Sequence, residues 1–183
     1  MTIHYAILGL LSYQPMTGYD LKKRIQTSVF MHWSGNNNQI YKALLELLEA
    51  GSVTNEVTYQ ESLPPKKIYT ITPNGLGALK KWVISPSELP ECRRPFLIQM
   101  AWAGLLDNAE LQDALMKYEE QVKMRLLMDQ EKIRRKDGMI PRTDREALLW
   151  KMIDENILSS CRSELEWIQN FREQLLELRS EGE

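Results

Sequence analysis

Amide and cationic side chains that suit recognition of nucleic acid occur in two short stretches of this sequence. The first stretch holds Asn37, Asn38, Gln39, Tyr41 and Lys42, and the second holds Lys66 and Lys67. Amides can pair with the edge of adenine, whereas cations bind guanine edges or phosphate oxygens. These residue types predict that the first stretch reads bases and that the second neutralises phosphates.

Both stretches also have a plainer interpretation. Asn37 is equally suited to capping a helix, because asparagine is preferred at that position. Lys66 and Lys67 would otherwise be a solvated surface pair. Asn38 and Lys42 are the stronger candidates for base contact, since they lie four residues apart and away from the neighbouring leucines. Lys22 and Lys23 belong to a further basic run. These lysines either contact phosphates or form the solvated face of a helix.

Residue patterns for catalysis and metal binding are missing from the sequence. The two histidines, His4 and His32, have no companion ligands at metal-binding spacing, and Cys92 and Cys161 form no CxxC pair. The GxGxxG, Walker A, GxSxG and HExxH motifs are absent. We therefore expect no enzyme activity, no metal and no cofactor, and we expect both cysteines to be ordinary thiols.

Charge is distributed unevenly along the 183 residues. Residues 1–85 carry eight Lys or Arg against five Asp or Glu, whereas residues 86–183 carry fifteen against twenty, which gives the net charge of −2. The basic excess therefore accompanies the candidate residues. The apolar run from Tyr5 to Leu11 is too short for a membrane span and lacks a secretory leader pattern, so we expect a cytoplasmic protein.

Hydrophobic periodicity places the candidates on a small set of elements. Short helices are predicted from Ile3 to about Tyr13, from Thr17 onward, and from Asn36 to a stop at Gly51. Alternating residues then predict strands over Ser52 to Gln60 and over Lys66 to Ile71, joined by a loop from Glu61 to Pro65, before a helix that begins at Thr72-Pro73. This order predicts a winged helix-turn-helix over residues 1–85, with a small two-stranded β-wing.

The second half of the sequence is predicted to be helical. A proline-rich linker covers residues 86–95, and residues 96–183 contain a short helix and two long antiparallel helices, of which the last runs from Thr143 to about Arg179. The last helix carries a near-heptad apolar stripe that includes Trp150, Ile153, Ile157, Leu165, Ile168 and Leu175. Because so much apolar surface needs cover, we expect this mainly α-helical half to pair with a second copy of the chain.

Four stretches of the sequence resemble the PadR family of bacterial regulators. They are Ala6 to Leu11, Pro15 to Leu21, Ile40 to Leu44 with its Leu48 to Gly51 ending, and Lys67 to Thr72. Their order and spacing match over about half of the chain. The family's usual proline after the tyrosine of the third helix is Lys42 here.

The resemblance implies a homodimer that binds an inverted-repeat operator on double-stranded DNA and usually represses transcription. In some family members a phenolic acid or drug-like molecule releases the DNA, and flat aromatic walls hold planar effectors. Trp33 and Trp102 are candidates for such a wall, although core packing is the commoner role of tryptophan. The alternative function is a protein-interaction adaptor that keeps the winged fold without binding DNA, in keeping with the acidic net charge.

Overall fold

The chain divides into two compact units, Met1–Glu88 and Leu89–Glu183. The computed structural model describes residues 2–31, 38–60, 63–87, 94–135 and 140–180. None of the helices within these residues combines the length and apolar character that a membrane span requires.

The described residues of the first unit form four helices and three strands. In chain order they are α1 (Thr2–Leu11), β1 (Met16–Thr17), α2 (Gly18–Thr27), α3 (Asn38–Glu49), β2 (Val53–Gln60), β3 (Leu63–Ile71) and α4 (Pro73–Val83). Fully buried aliphatic side chains from α1, α2, α3 and β2 form its core, among them Ile7, Leu8, Leu21, Ile25, Leu44 and Val53. The predicted arrangement of a helix-turn-helix followed by a wing is therefore confirmed.

Local hydrogen bonds explain where these helices begin and end. Thr17 accepts a hydrogen bond from the backbone N–H of Asp20 at 3.1 Å, and its hydroxyl donates to the Asp20 carboxylate at 2.6 Å. Thr72 accepts from the N–H of Gly75 at 3.1 Å and caps α4 in the same way. Gly51 follows α3 with a φ of 62°, a conformation that glycine adopts without a steric penalty.

The sheet has one strand more than the sequence predicted. Its strands lie in the antiparallel order β1-β3-β2, with Met16 opposite Tyr69 and Thr17 opposite Ile68. β3 also begins at Leu63, within the segment predicted as a loop. Thr58 pairs with Lys66 but Gln60 pairs with Leu63, so β3 carries one extra residue where its two prolines lie. A bulge accommodates prolines that cannot donate to the ladder.

The second unit is helical, as predicted. It contains α5 (Pro95–Ala101), a 3₁₀ turn over Ala103–Leu105, α6 (Asn108–Arg135) and α7 (Asp144–Ser180). Phe96, Leu115 and Ile168 form its buried centre. Asp107 caps α6 by accepting from the N–H groups of Ala109 and Glu110 at 2.8 and 2.9 Å.

Candidate nucleic-acid interface

The third helix separates an apolar face from a polar one. Ile40, Ala43, Leu44 and Leu47 are buried against the core of the unit. The outward side chains are Asn38, Gln39, Tyr41, Lys42, Leu45, Glu46 and Glu49. The structure therefore places four of the five predicted base-reading candidates on one exposed surface, and Asn37 lies outside the described residues.

Tyr41 is anchored on this surface by its neighbours. A Cβ atom added to Gly18 would lie 2.8 Å from Tyr41 Cε1, so the ring packs directly over the start of α2. The phenol also lies close to Tyr69, which is buried and faces Asn55 across the sheet. Burial, followed by the proximity of Tyr41, raises the pKa of Tyr69, against the effect of a hydrogen bond from Asn55. Tyr41 thus links α3 to α2.

Glu46 on the same helix is already engaged by other side chains. Its Oε2 lies 2.6 Å from Nε2 of His4 on α1, and its Oε1 lies 3.9 Å from the Lys42 ammonium group. Lys42 remains 79% exposed despite this contact. The carboxylate therefore ties α1 to α3, while the Lys42 ammonium stays accessible to an anion.

The two wing lysines lie on opposite faces of β3. Lys67 pairs with Val57, and Lys66 pairs with Thr58, within the regular part of the ladder. Because successive strand residues point to opposite faces, Lys67 shares the face of Tyr69 and Asn55, whereas Lys66 points to the other side. Both side chains are exposed. The two lysines look like one pair in the sequence, and only the strand register separates them.

The basic run on α2 offers less accessible charge. Lys22 is half-buried and Lys23 is exposed on this helix. The N-terminal turn of the same helix carries Asp20, which its cap Thr17 contacts. These lysines therefore remain candidates for phosphate contact at the edge of the surface that α3 presents.

The structure describes one of the two aromatic candidates for an effector site. Trp102, at the end of α5, is 70% exposed, and Trp33 lies outside the described residues. A separate aromatic cluster, which the sequence did not predict, lies within the second unit. Phe96 stacks on Tyr118 with ring centroids 3.6 Å apart and meets Trp167 edge-on at 6.3 Å.

Tyr118 in this cluster is held by a carboxylate. Its hydroxyl donates to Glu164 Oε1 at 2.8 Å, and Arg94 lies 3.5 Å from the other oxygen of Glu164. Burial, together with this hydrogen bond, raises the pKa of Tyr118 to about 12. The phenol therefore stays protonated and works as a hydrogen-bond donor.

Three of the residues predicted to form a dimer interface pack against other side chains of the same unit. Ile168 is fully buried against Phe96 and Leu115, and Leu165 and Leu175 pack against the same cluster. This part of the stripe therefore faces α5 and α6. Trp150, Ile153 and Ile157 are half-buried on the same helix. Sequence periodicity identifies an apolar face, but it does not say which helix will cover it.

The described residues contain no group of three or more His, Cys, Asp and Glu side chains placed to hold a metal ion. Cys161 is a free, half-buried thiol on α7. Its burial, assisted by the charge of Asp129, raises the pKa of the thiol. The thiol is therefore mostly protonated at neutral pH, as an unreactive cysteine should be. Cys92 lies outside the described residues.

Comparisons with known proteins agree with this arrangement. Residues 7–81 match the transcriptional regulator PadR-like family, and residues 92–175 match the virulence activator alpha C-terminal family. The chain is 32% identical over 112 residues to the negative transcriptional regulator PadR of Bacillus subtilis, a match that covers 61% of this chain and 62% of that protein.

Solved structures share the fold over almost the whole chain. The crystal structure of Bacillus subtilis PadR in complex with operator DNA has a TM-score of 0.82 and 24% identity, covering 96% of this chain and 99% of that one. The structure of the same protein with p-coumaric acid has a TM-score of 0.75 and 22% identity, and it also covers 96% of this chain and 99% of that one. Residues 7–81 therefore form a domain of the transcriptional regulator PadR-like family, and the solved structures share the fold over almost the whole chain.

Proposed function

We propose that this chain is a dimeric, sequence-specific DNA-binding regulator that represses transcription in the cytoplasm. The observation that carries the proposal is the outward surface of α3, where amide and cationic side chains lie together in a PadR-like domain. In a helix-turn-helix this helix enters the major groove, where such side chains meet base edges. Asn38, Gln39 and Lys42 are the proposed groove contacts.

The wing supplies the proposed contact to the DNA backbone. Lys67 lies on the face of the sheet that continues from Tyr69 toward α3, whereas Lys66 shares the other face with Glu56. An acidic neighbour on the same face weakens attraction to phosphate. Lys67 is therefore proposed to carry most of the phosphate contact made by the wing.

Dimerisation is proposed to use the apolar side chains that the second unit leaves exposed. On α6 and α7 these include Met116, Met124, Leu127, Met128, Leu148, Leu149 and Met152. A second copy would remove them from water, and a two-fold axis would present two α3 helices to successive major grooves about 34 Å apart. An inverted-repeat operator is the DNA that fits such a pair.

A small aromatic effector is proposed as the signal that releases the DNA. Support comes from the structure of Bacillus subtilis PadR with p-coumaric acid, whose fold this chain shares. Trp102 is the described tryptophan most available to a planar ligand, because 70% of it is exposed. Trp33 stays a candidate from the sequence.

Selection of DNA fragments from the host genome by the purified full-length chain, followed by gel-shift of the enriched duplexes, tests the proposal. We expect enriched fragments to share an inverted repeat and to be bound by two copies of the chain. Failure to enrich any duplex, while a protein partner binds the same preparation, would support the adaptor function instead.

Removing the wing cations one at a time should change the salt dependence of binding unequally. Removal of a single phosphate contact reduces the slope of log Kd against log salt concentration by about one. We expect the slope to fall by about one in Lys67→Ala and by less in Lys66→Ala, and binding should weaken on all sequences alike. The measurement is fluorescence anisotropy on operator and on random duplexes between low and high salt. If wild type and both variants give the same slope of log Kd against log salt concentration, the wing lysines make no contact with the phosphates.

Asn38→Ala should weaken binding to the operator alone. A bidentate amide contact with adenine contributes about 1–3 kcal/mol of discrimination, and random DNA offers no matched base to lose. Titration of both duplexes with wild type and variant measures the difference. A loss of the same size on random DNA would show that Asn38 acts on the backbone or on the fold, because only base contacts depend on sequence.

A further inference from the structure

Leu45 is an apolar side chain on the outward surface of α3. It is 60% exposed and lies seven residues after Asn38 and three after Lys42. Residues 38, 41, 42 and 45 are spaced i, i+3, i+4 and i+7, which places them along one face of a helix. Recognition helices read successive base pairs from such a row of side chains. Leu45 does not stand out in the sequence because it lies within a run of leucines whose other members face the core.

Neighbouring side chains leave this position open. The ring of Tyr41 packs over Gly18, and Glu46 is bound by His4 and Lys42. The Glu46 carboxylate is therefore already paired and does not accept a hydrogen bond from the amino group of a cytosine. Asn38, Lys42 and Leu45 then form a line of an amide, a cation and an aliphatic group.

The flanking chemistry identifies the occupant of this surface as DNA. Lys42 supplies accessible positive charge, and the cationic wing lies on the same unit. The major groove offers one apolar group to an aliphatic side chain, the 5-methyl group of thymine. Seven residues of helix span about 10 Å, or about three base-pair steps.

We infer that Leu45 is a specificity-determining residue that recognises the methyl group of a thymine about three base pairs from the base contacted by Asn38. This inference rests on the proposed function, since it requires α3 to lie in the major groove. Removing one methyl group from water is worth about 0.8 kcal/mol, which corresponds to about a fourfold change in affinity for each half-site.

Uracil differs from thymine only by lacking this methyl group, so it provides a direct test. Duplexes enriched from a random library by the full-length wild type would be synthesised with uracil at each thymine in turn. We expect one position in each half-site where uracil weakens wild-type binding about fourfold. Leu45→Ala should bind the thymine duplex about as weakly as wild type binds the uracil duplex, and it should not distinguish the two bases.

Two further variants serve as controls. Lys42→Ala should lose affinity on both duplexes and keep the fourfold preference for thymine, because it retains Leu45. Leu45→Met should restore the preference, because it keeps an apolar side chain of similar size. If wild type and Leu45→Ala both enrich duplexes and show the same preference for thymine, the inference about Leu45 is wrong but the proposed function stands. Enrichment of no duplex would overturn the proposed function and this inference with it.

Discussion

Gly75→Ala should destabilise the winged unit by about 3 kcal/mol or more, because the added methyl group has no space to occupy. An alanine Cβ at this position would lie 2.1 Å from the backbone oxygen of Ser52 and 3.0 Å from Ile71 Cγ1. That oxygen accepts a hydrogen bond from the N–H of Thr72 at 3.1 Å. Since Thr72 also caps α4 at Gly75, relief of the clash would move α4 away from Ser52, the residue before β2, and disturb the first turn of α4.

Gly77→Ala is the matched control on the same helix. A Cβ at Gly77 meets no atom within 4 Å, so alanine adds helix propensity without a clash. It should stabilise the chain by about 0.5–1 kcal/mol. Urea unfolding of the full-length variants, followed by circular dichroism, measures both changes. Destabilisation of similar size in the two variants would mean that α4 tolerates no alanine for a reason other than the contact with Ser52.

Arg172→Met should destabilise the second unit by about 3 kcal/mol, because it leaves a buried carboxylate with fewer partners. Glu119 on α6 is only 3% exposed, and it accepts hydrogen bonds from Arg172 and Gln169 on α7. Lys123 lies 2.6 Å from the same carboxylate and would remain in the variant. We therefore expect the loss of unfolding free energy to lie at the lower end of the range for removal of one partner of a buried ion pair. The free energy of unfolding in urea near neutral pH measures the loss.

The same carboxylate should make stability depend on pH in the acidic range. The Lys123 hydrogen bond, opposed by burial and assisted by Arg172 and Gln169, lowers the pKa of Glu119 to about 2. A lowered pKa means that the fold favours the charged form, so this contribution is complete above the ordinary glutamate pKa and is lost as pH falls toward 2. Unfolding free energies of wild type and Glu119→Gln should converge over this window.

Glu131 supplies the control for that acid dependence. Its pKa is also lowered to about 2, by hydrogen bonds from Arg134 and Arg135, but these arginines are exposed to solvent. Salt screens exposed ion pairs, so the effect of Glu131→Gln should shrink at high salt while that of Glu119→Gln persists. Equal salt sensitivity of the two variants would contradict a buried role for Glu119.

Helix ends could be predicted from the sequence because short-range chemistry decides them. Thr17, Thr72 and Asp107 each bond to backbone N–H groups within three residues, so their neighbours in sequence are also their partners. The outward positions of Asn38 and Lys42 followed from helical periodicity in the same way. β1 was missed because two residues are too few to show alternation.

The sequence alone could not identify the partners of side chains that face distant segments. The pairing of β3 with β2 sets which of Lys66 and Lys67 lies on the same face of the sheet as Tyr69. A shift of the register by one residue would exchange the faces of the two lysines. The apolar periodicity that includes Ile168 looks the same in the sequence whether α6 or a second copy of the chain covers this side chain. In the structure, Ile168 is buried in the core of its own unit.

Local residue order thus determined the elements, their caps and the amide and cationic character of the third helix, since those depend on contacts within a turn or two. Tertiary structure decided which candidates share a surface. Tyr41 is anchored over Gly18, Glu46 is paired with His4, and Leu45 is left exposed beside Lys42. These contacts join residues far apart in sequence, and only the packing of α1, α2 and α3 against one another brings them together.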